Sequence, residues 1–221
     1  MKAISFLTRI FLLCALLGCR SSGYISTAWK NQHAYPGNYN KIMVFAIVNS
    51  NDSTYRIELE NHFKESLESF GYPAISSYSE FGTALRNMDQ EETYKNLCEK
   101  GIDAVMTIAW INKENGNDMS YEAYAKPVEF FFDRIWHYKK DQALIPSIAN
   151  DSGMKYSWEM ILYDLPTLQP HYVAQTKTIK GTWKESMKDE FWDTMVRTLR
   201  KDKFLKKRPP LGNKTNVPKA F

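Results

Sequence analysis

The 221-residue sequence predicts an α/β domain: a mixed sheet of about five strands flanked by three helices. Three observations carry that expectation. Lys41 to Val48 and Ile102 to Ile111 are nearly unbroken apolar runs rich in β-forming residues, the pattern of strands buried on both faces. Between them lie two helical repeats that stop at Gly71 and Gly101, where a residue in left-handed conformation closes a helix. Near the C-terminus two segments of alternating polarity face each other across a proline-bracketed turn, which reads as an antiparallel hairpin.

Taken in order, residues 19–40 are polar, contain Gly23, Pro36 and Gly37, and are expected to form a tether ahead of a single domain over 41–200. The first strand is expected at about 41–48. The helix that follows, about 54–70, carries Leu59, Phe63, Leu67 and Phe70 at helical spacing, with Glu58, Glu60, Lys64, Glu65 and Glu68 expected outside. Asp52 or Ser53 can cap it. A strand at about 72–78, a helix at about 90–100 and a strand at about 102–111 complete a β-α-β-α-β start, which implies right-handed crossovers and a parallel portion. Glu91 and Glu92 suit the first turn of the second helix through its dipole. Residues 112–155 form an irregular aromatic insertion. The hairpin strands are expected at about 157–164 and 171–179 around Pro166 and Pro170, and a last helix at about 184–199 places Met187, Phe191, Met195 and Leu199 on one face.

The N-terminus reads as a secretory signal over residues 1–18. Lys2 and Arg9 supply positive charge, and Ile10 to Leu17 is an apolar run too short for a bilayer span of ~20 residues. The run closes on Leu16-Leu17-Gly18-Cys19, which resembles the lipobox of bacterial lipoproteins. That resemblance implies cleavage between Gly18 and Cys19, lipid on the Cys19 thiol, and membrane anchoring by two or three acyl chains. Arg20-Ser21-Ser22-Gly23 lacks the Asp of the inner-membrane retention signal and the acidic cluster of surface export, so the periplasmic face of the outer membrane is the implied location.

With 43% hydrophobic and 14% aromatic residues the chain can pack a core, which argues against wholesale disorder. Cys14 leaves with the signal and Cys19 carries lipid, so Cys98 stands alone and excludes a disulfide framework. Its helical spacing with Tyr94 and Leu97 predicts a buried thiol. The net charge of +4 is uneven: from Arg200 to Phe221 eight basic residues stand against Asp202 alone, leaving the body of the chain acidic. Nucleic-acid binding, which needs basic residues spread over the domain, does not fit. Pro209 and Pro210 prevent a continuous helix there, so 201–221 is expected to be a mobile basic tail outside the core, either solvated or in contact with anionic headgroups or lipopolysaccharide phosphates.

The order of landmarks resembles small envelope lipoproteins of the Bacteroidota type. The residues that carry it are Trp29-Lys30, the strand from Lys41, the helix with Arg56, Glu58 and Leu67 ending at Gly71, Gly101-Ile102-Asp103-Ala104-Val105, and Leu162-Tyr163-Asp164-Leu165 before the hairpin. The fold is similar to that of the N-terminal domain of the Tol-system periplasmic β-propeller protein and of the curli-secretion outer-membrane lipoprotein. Such proteins have Trp where this chain has Tyr172.

No catalytic constellation is evident. Asp151-Ser152-Gly153 lacks the strand–turn–helix setting of a nucleophile elbow, and His33, His62, His137 and His171 are scattered without metal-helix spacing. His62 reads as a boundary residue beside the first helix's apolar stripe. The glycines form no phosphate-cradling loop, so no metal, cofactor or catalytic residue is assigned. Tyr121 and Tyr124, together with Phe130, Phe131, Phe132, Trp136 and Tyr138, form an aromatic segment that is either core packing or a partner surface. The leading expectation is a non-enzymatic, lipid-anchored envelope protein with a protein partner. Two alternatives stay open: an enzyme acting on envelope glycans or lipids through an unrecognised site, and a module for a small apolar ligand.

Overall fold

The computed structural model describes residues 25–34, 39–48, 53–112, 155–177, 179–180, 189–206 and 208–209. Among these residues seven strands and four α-helices form an open mixed α/β layer: β1 (Ile25–Lys30), β2 (Ile42–Ile47), α1 (Ser53–Ser69), β3 (Ala74–Ser76), α2 (Ser77–Phe81), α3 (Gln90–Glu99), β4 (Ala104–Asn112), β5 (Lys155–Asp164), β6 (Pro170–Thr176), β7 (Ile179–Lys180) and α4 (Asp189–Lys201). The sheet order is β1-β6-β5-β4-β2-β3, with β7 paired to β5. β3, β2 and β4 run parallel, and β5, β6 and β1 add antiparallel neighbours.

β2 and β4 are interior, as their continuous apolar runs predict. Ile42, Val44 and Ala46 enter one core layer while Met43, Phe45 and Ile47 enter the other. The first layer is roofed by α1 and α4, where Trp192 meets Trp158 and Phe63 edge-on at centroid distances of 4.9 and 5.3 Å. Phe63 and Leu67 are fully buried there. Each edge-to-face pair adds about 0.5–1.5 kcal/mol beyond its buried area. The second layer holds Leu85, Leu97 and Ile102 beneath Val105, Ile161, Tyr163 and Val173.

Five expectations need correction. The segment read as a tether contains β1, which joins the sheet by pairing Ala28 with Ala174 and Trp29 with Val173, while Ile25 and Trp29 pack against the two core layers. The strand expected at 72–78 is only three residues long, because Ser76 turns the chain by capping α2 through a bond accepted from Ser79 N. Glu60, expected outside, is fully buried. Cys98, expected inside, is exposed: on α3 Thr93 and Leu97 turn to the sheet, and the stripe of Tyr94 and Cys98 turns to solvent. The tail expected to be free from residue 201 is fastened through Phe204 and Leu205, both in the first core layer.

That fastening follows from how the helices end. In α1, Gly71 N donates to Glu68 O and Tyr72 N to Leu67 O; in α3, Gly101 N donates to Cys98 O and Ile102 N to Leu97 O. Both are Schellman closures, with Gly71 and Gly101 at φ +84° and +68°. α4 closes the same way on Lys203, at φ +60°: Lys203 N donates to Arg200 O and Phe204 N to Leu199 O. The residue after each left-handed position, Tyr72, Ile102 or Phe204, is buried beside the leucine that accepts its N–H.

Candidate functional site

Three groups of polar and aromatic side chains stand out among the described residues. The first surrounds Glu60. Arg56 and Glu60 share the inner face of α1 with Phe63 and Leu67, in phase with the apolar stripe. Glu60 Oε1 accepts from Ala46 N (3.0 Å), Arg56 Nε (2.9 Å) and Ser77 Oγ (2.7 Å), and Oε2 from Ser76 Oγ (2.7 Å) and Tyr78 N (2.7 Å). Arg56 also donates to Ser77 Oγ, and its guanidinium lies 5.1 Å from the ring centres of both Phe45 and Tyr78. A carboxylate offers about four lone-pair positions, so five donors leave none to take a proton from a substrate. The network ties β2, α1, β3 and α2 together. Removing one partner of such a buried pair strands the other charge, at about 3–5 kcal/mol.

The second group lies on the opposite face. Glu159 and Gln175 are register partners on β5 and β6, both buried, and Gln175 Nε2 donates to Glu159 Oε2 at 2.9 Å. Their position beside Ala109 places a carboxylate within the sheet's second layer.

The third group gathers at the sheet edge where β2 and β4 begin and β5 ends. Asp103 accepts from the backbone N of Asn40 and Lys41, stapling the two parallel strands at their start. Asp164 ends β5 by accepting from Thr167 N and Oγ1. Beside them the Tyr39 hydroxyl and His171 Nδ1 share a hydrogen bond of 2.8 Å, and the His171 ring meets Phe204 edge-on. Tyr172 donates its hydroxyl to Asp202 Oδ2 at 2.6 Å. Lys206 N donates to the Tyr72 hydroxyl, and Arg208 lies 4.3 Å over the Tyr72 ring while donating to Tyr39 O. Burial raises the pKa of Tyr39, helped by the charges of Asp164 and Asp103, and burial with the Asp202 bond raises that of Tyr172. Burial lowers that of His171, opposed by Asp164. Tyr39, Tyr72, His171 and Tyr172 thus form an aromatic socket for the C-terminal segment, edged by Asp103, Asp164 and Asp202.

The residues singled out from sequence, Gly18, Cys19, Phe130, Phe131, Phe132, Trp136 and Tyr138, lie outside the described residues. So does the signal segment. Among the described residues no three His, Cys, Asp or Glu side chains converge as metal ligands, and no helix is long and apolar enough to cross a membrane. His62 is a boundary residue, as expected, 3.8 Å from Asp193. Sequence reasoning missed Glu60 and the socket. Glu60 had a usable signal, since 56, 60, 63 and 67 share one helical phase; the socket had none, because Tyr39, Tyr72, His171 and Tyr172 come from three segments far apart in sequence.

No protein-family model matches the chain, and a search of curated proteins gave no match. Among solved structures, a single-substitution variant of the PelC dodecamer from Paraburkholderia phytofirmans is similar at TM-score 0.40 and 10% identity, over 82% of this chain and 99% of that one. A second structure of that dodecamer gives 0.40 and 10%, over 81% and 98%.

Proposed function

We propose that the chain is a lipid-anchored, non-enzymatic protein of the bacterial cell envelope, held by Cys19 on the periplasmic face of the outer membrane and binding another envelope component. The observation that carries this reading is Leu16-Leu17-Gly18-Cys19 set directly after a charged, then apolar, N-terminal segment. The spacing supports it: five residues separate Cys19 from the first strand, a short link between anchor and domain. The role of Glu60 and Arg56 as structural ties is in keeping with a binding domain.

The anchor is tested by Cys19→Ala. The variant should leave the membrane fraction and lose incorporation of a fatty-acid analogue. A variant that stays membrane-bound and still takes up label contradicts the reading.

A further inference from the structure

We propose that His171 is a proton-sensitive latch on the C-terminal segment: a proton on its ring favours release of the chain after Lys203 from the aromatic socket. The ring is half-buried between two neighbours of different kinds. Its Nδ1 shares a 2.8 Å hydrogen bond with the Tyr39 hydroxyl, which belongs to the body of the domain. On another side it meets Phe204, the first residue of the segment, at a centroid distance of 6.3 Å and an interplanar angle of 70°. Beyond Phe204 the segment holds on through Lys206 N to the Tyr72 hydroxyl, Arg208 N to Phe70 O, and the Arg208 guanidinium over the Tyr72 ring. The hinge is Lys203, whose left-handed backbone is unfavourable for a residue with a side chain. Burial of Phe204 and Leu205 keeps the closed form dominant, so release is an infrequent local opening.

The sign follows from what leaves on release and what stays. Phe204 leaves, which uncovers a ring whose pKa burial holds below its ordinary value. Cations leave with it: from Phe204 to Pro209 the sequence carries Lys206, Lys207 and Arg208 and no acid. Arg208 donates to Tyr39 O, on the same residue that bonds the ring. The acids stay. Asp164, which acts to raise the pKa of the ring, is held at the end of β5 by Thr167. Asp103 is held at the head of β4 by Asn40 and Lys41, and Asp202 precedes the hinge and accepts from Tyr172. Lys30 and His33, exposed at the end of β1, and Lys41, whose ammonium donates to Lys100 O, are common to both forms, as are Tyr39, Tyr72 and Tyr172. The open form therefore loses burial and positive charge while keeping its acids, and takes up the proton more readily than the closed form. By linkage the proton favours opening.

Amide hydrogen exchange of the full chain tests the latch, at about pH 7 and about pH 5, on either side of the ordinary histidine range. Each rate is divided by that of unstructured peptide at the same pH, which leaves the protection due to structure alone. The amides read are those of Lys206 and Arg208, with those of β4 as the measure of global unfolding. At both pH values Lys206 and Arg208 should be less protected than β4, the mark of local opening. Their protection should fall by about threefold or more toward the lower pH in the wild type, and should stay level in His171→Gln, which takes up no proton. Protection equal to that of β4, no fall in the wild type, or a fall that survives in His171→Gln each overturns the proposal. The reciprocal measurement needs no change at His171: an NMR titration of its ring in the wild type and in Phe204→Ala. Loosening the segment should raise the pKa of the ring; an unchanged or lower value overturns the latch.

Discussion

The helix ends at Gly71 and Gly101 share one local motif and differ in what leans on them. Both glycines sit at positive φ and both closures bury the following residue. A methyl group on Gly101 would meet nothing within 4 Å, whereas on Gly71 it would come within 2.5 Å of Pro209 O and 2.6 Å of Arg208 Cβ. Gly101 ends a helix; Gly71 ends a helix and also receives the C-terminal segment, whose Arg208 N donates to Phe70 O. Identical sequence signals thus serve two purposes, and only tertiary contact separates them. The segment after α4 is part of the domain, fastened to a floor that the first helix prepares.

Substitution at the two glycines breaks the comparison most sharply. Gly101→Ala should cost about 1–2 kcal/mol, the steric penalty of left-handed backbone. Gly71→Ala should add to that about 1–3 kcal/mol of overpacking against backbone that cannot step aside. Thermal melts of the two variants should therefore differ, with Gly71→Ala lower; equal melts would mean that residues 208–209 do not rest on Gly71. Next in size is the third closure. Lys203 holds a left-handed φ without being glycine, so Lys203→Gly should stabilise by about 1 kcal/mol, seen as a rise of a few degrees in melting temperature. A fall would place the strain elsewhere.

The smallest effect expected is a pH dependence of the socket. Burial lowers the pKa of His171 below the unfolded value of 6.5. The unfolded chain therefore takes up the proton first, so stability from this group is complete above pH 6.5 and is lost as pH falls from 6.5 toward the lower folded value. Melting temperatures between pH 7.5 and 5.5 should decline more steeply in the wild type than in His171→Gln. Parallel declines would remove His171 from the account.

Much of the fold was legible because its signals are local. Continuous apolar runs marked β2 and β4 as interior, the spacing of Leu59, Phe63 and Leu67 set the face of α1, and glycines marked two of the three closures. Less of the rest could be read, for physical reasons that differ. β1 is a short edge strand in a segment of otherwise polar residues, held by pairing with β6 and by Ile25 and Trp29 packed against the two core layers. Ser76 ends β3 early because its hydroxyl serves both α2 and Glu60. Glu60 is tolerated inside because Arg56, one turn before it, and four donors from β2 and the β3–α2 junction meet it, which composition does not announce. Cys98 and Leu97 are adjacent in sequence, yet the 100° step of a helix puts one outside and the other in the core. The basic residues after 200 suggested a free tail because charge dominates that stretch, while two hydrophobic side chains, Phe204 and Leu205, decide where it goes.

The claim that the C-terminal segment belongs to the domain is tested most directly by two truncations of the full chain compared by thermal unfolding. A chain ending after Pro209 keeps Phe204, Leu205 and the Arg208 clamp, and should melt within a degree or two of the intact protein. One ending after Lys201 loses all three and exposes the socket of Tyr39, Tyr72, His171 and Tyr172. Removal of the buried phenylalanine alone costs about 3–5 kcal/mol, so the second chain should melt lower by about 10 °C or more. Equal melting temperatures for the two truncations would contradict the account and return residues 202–209 to the status of a free tail.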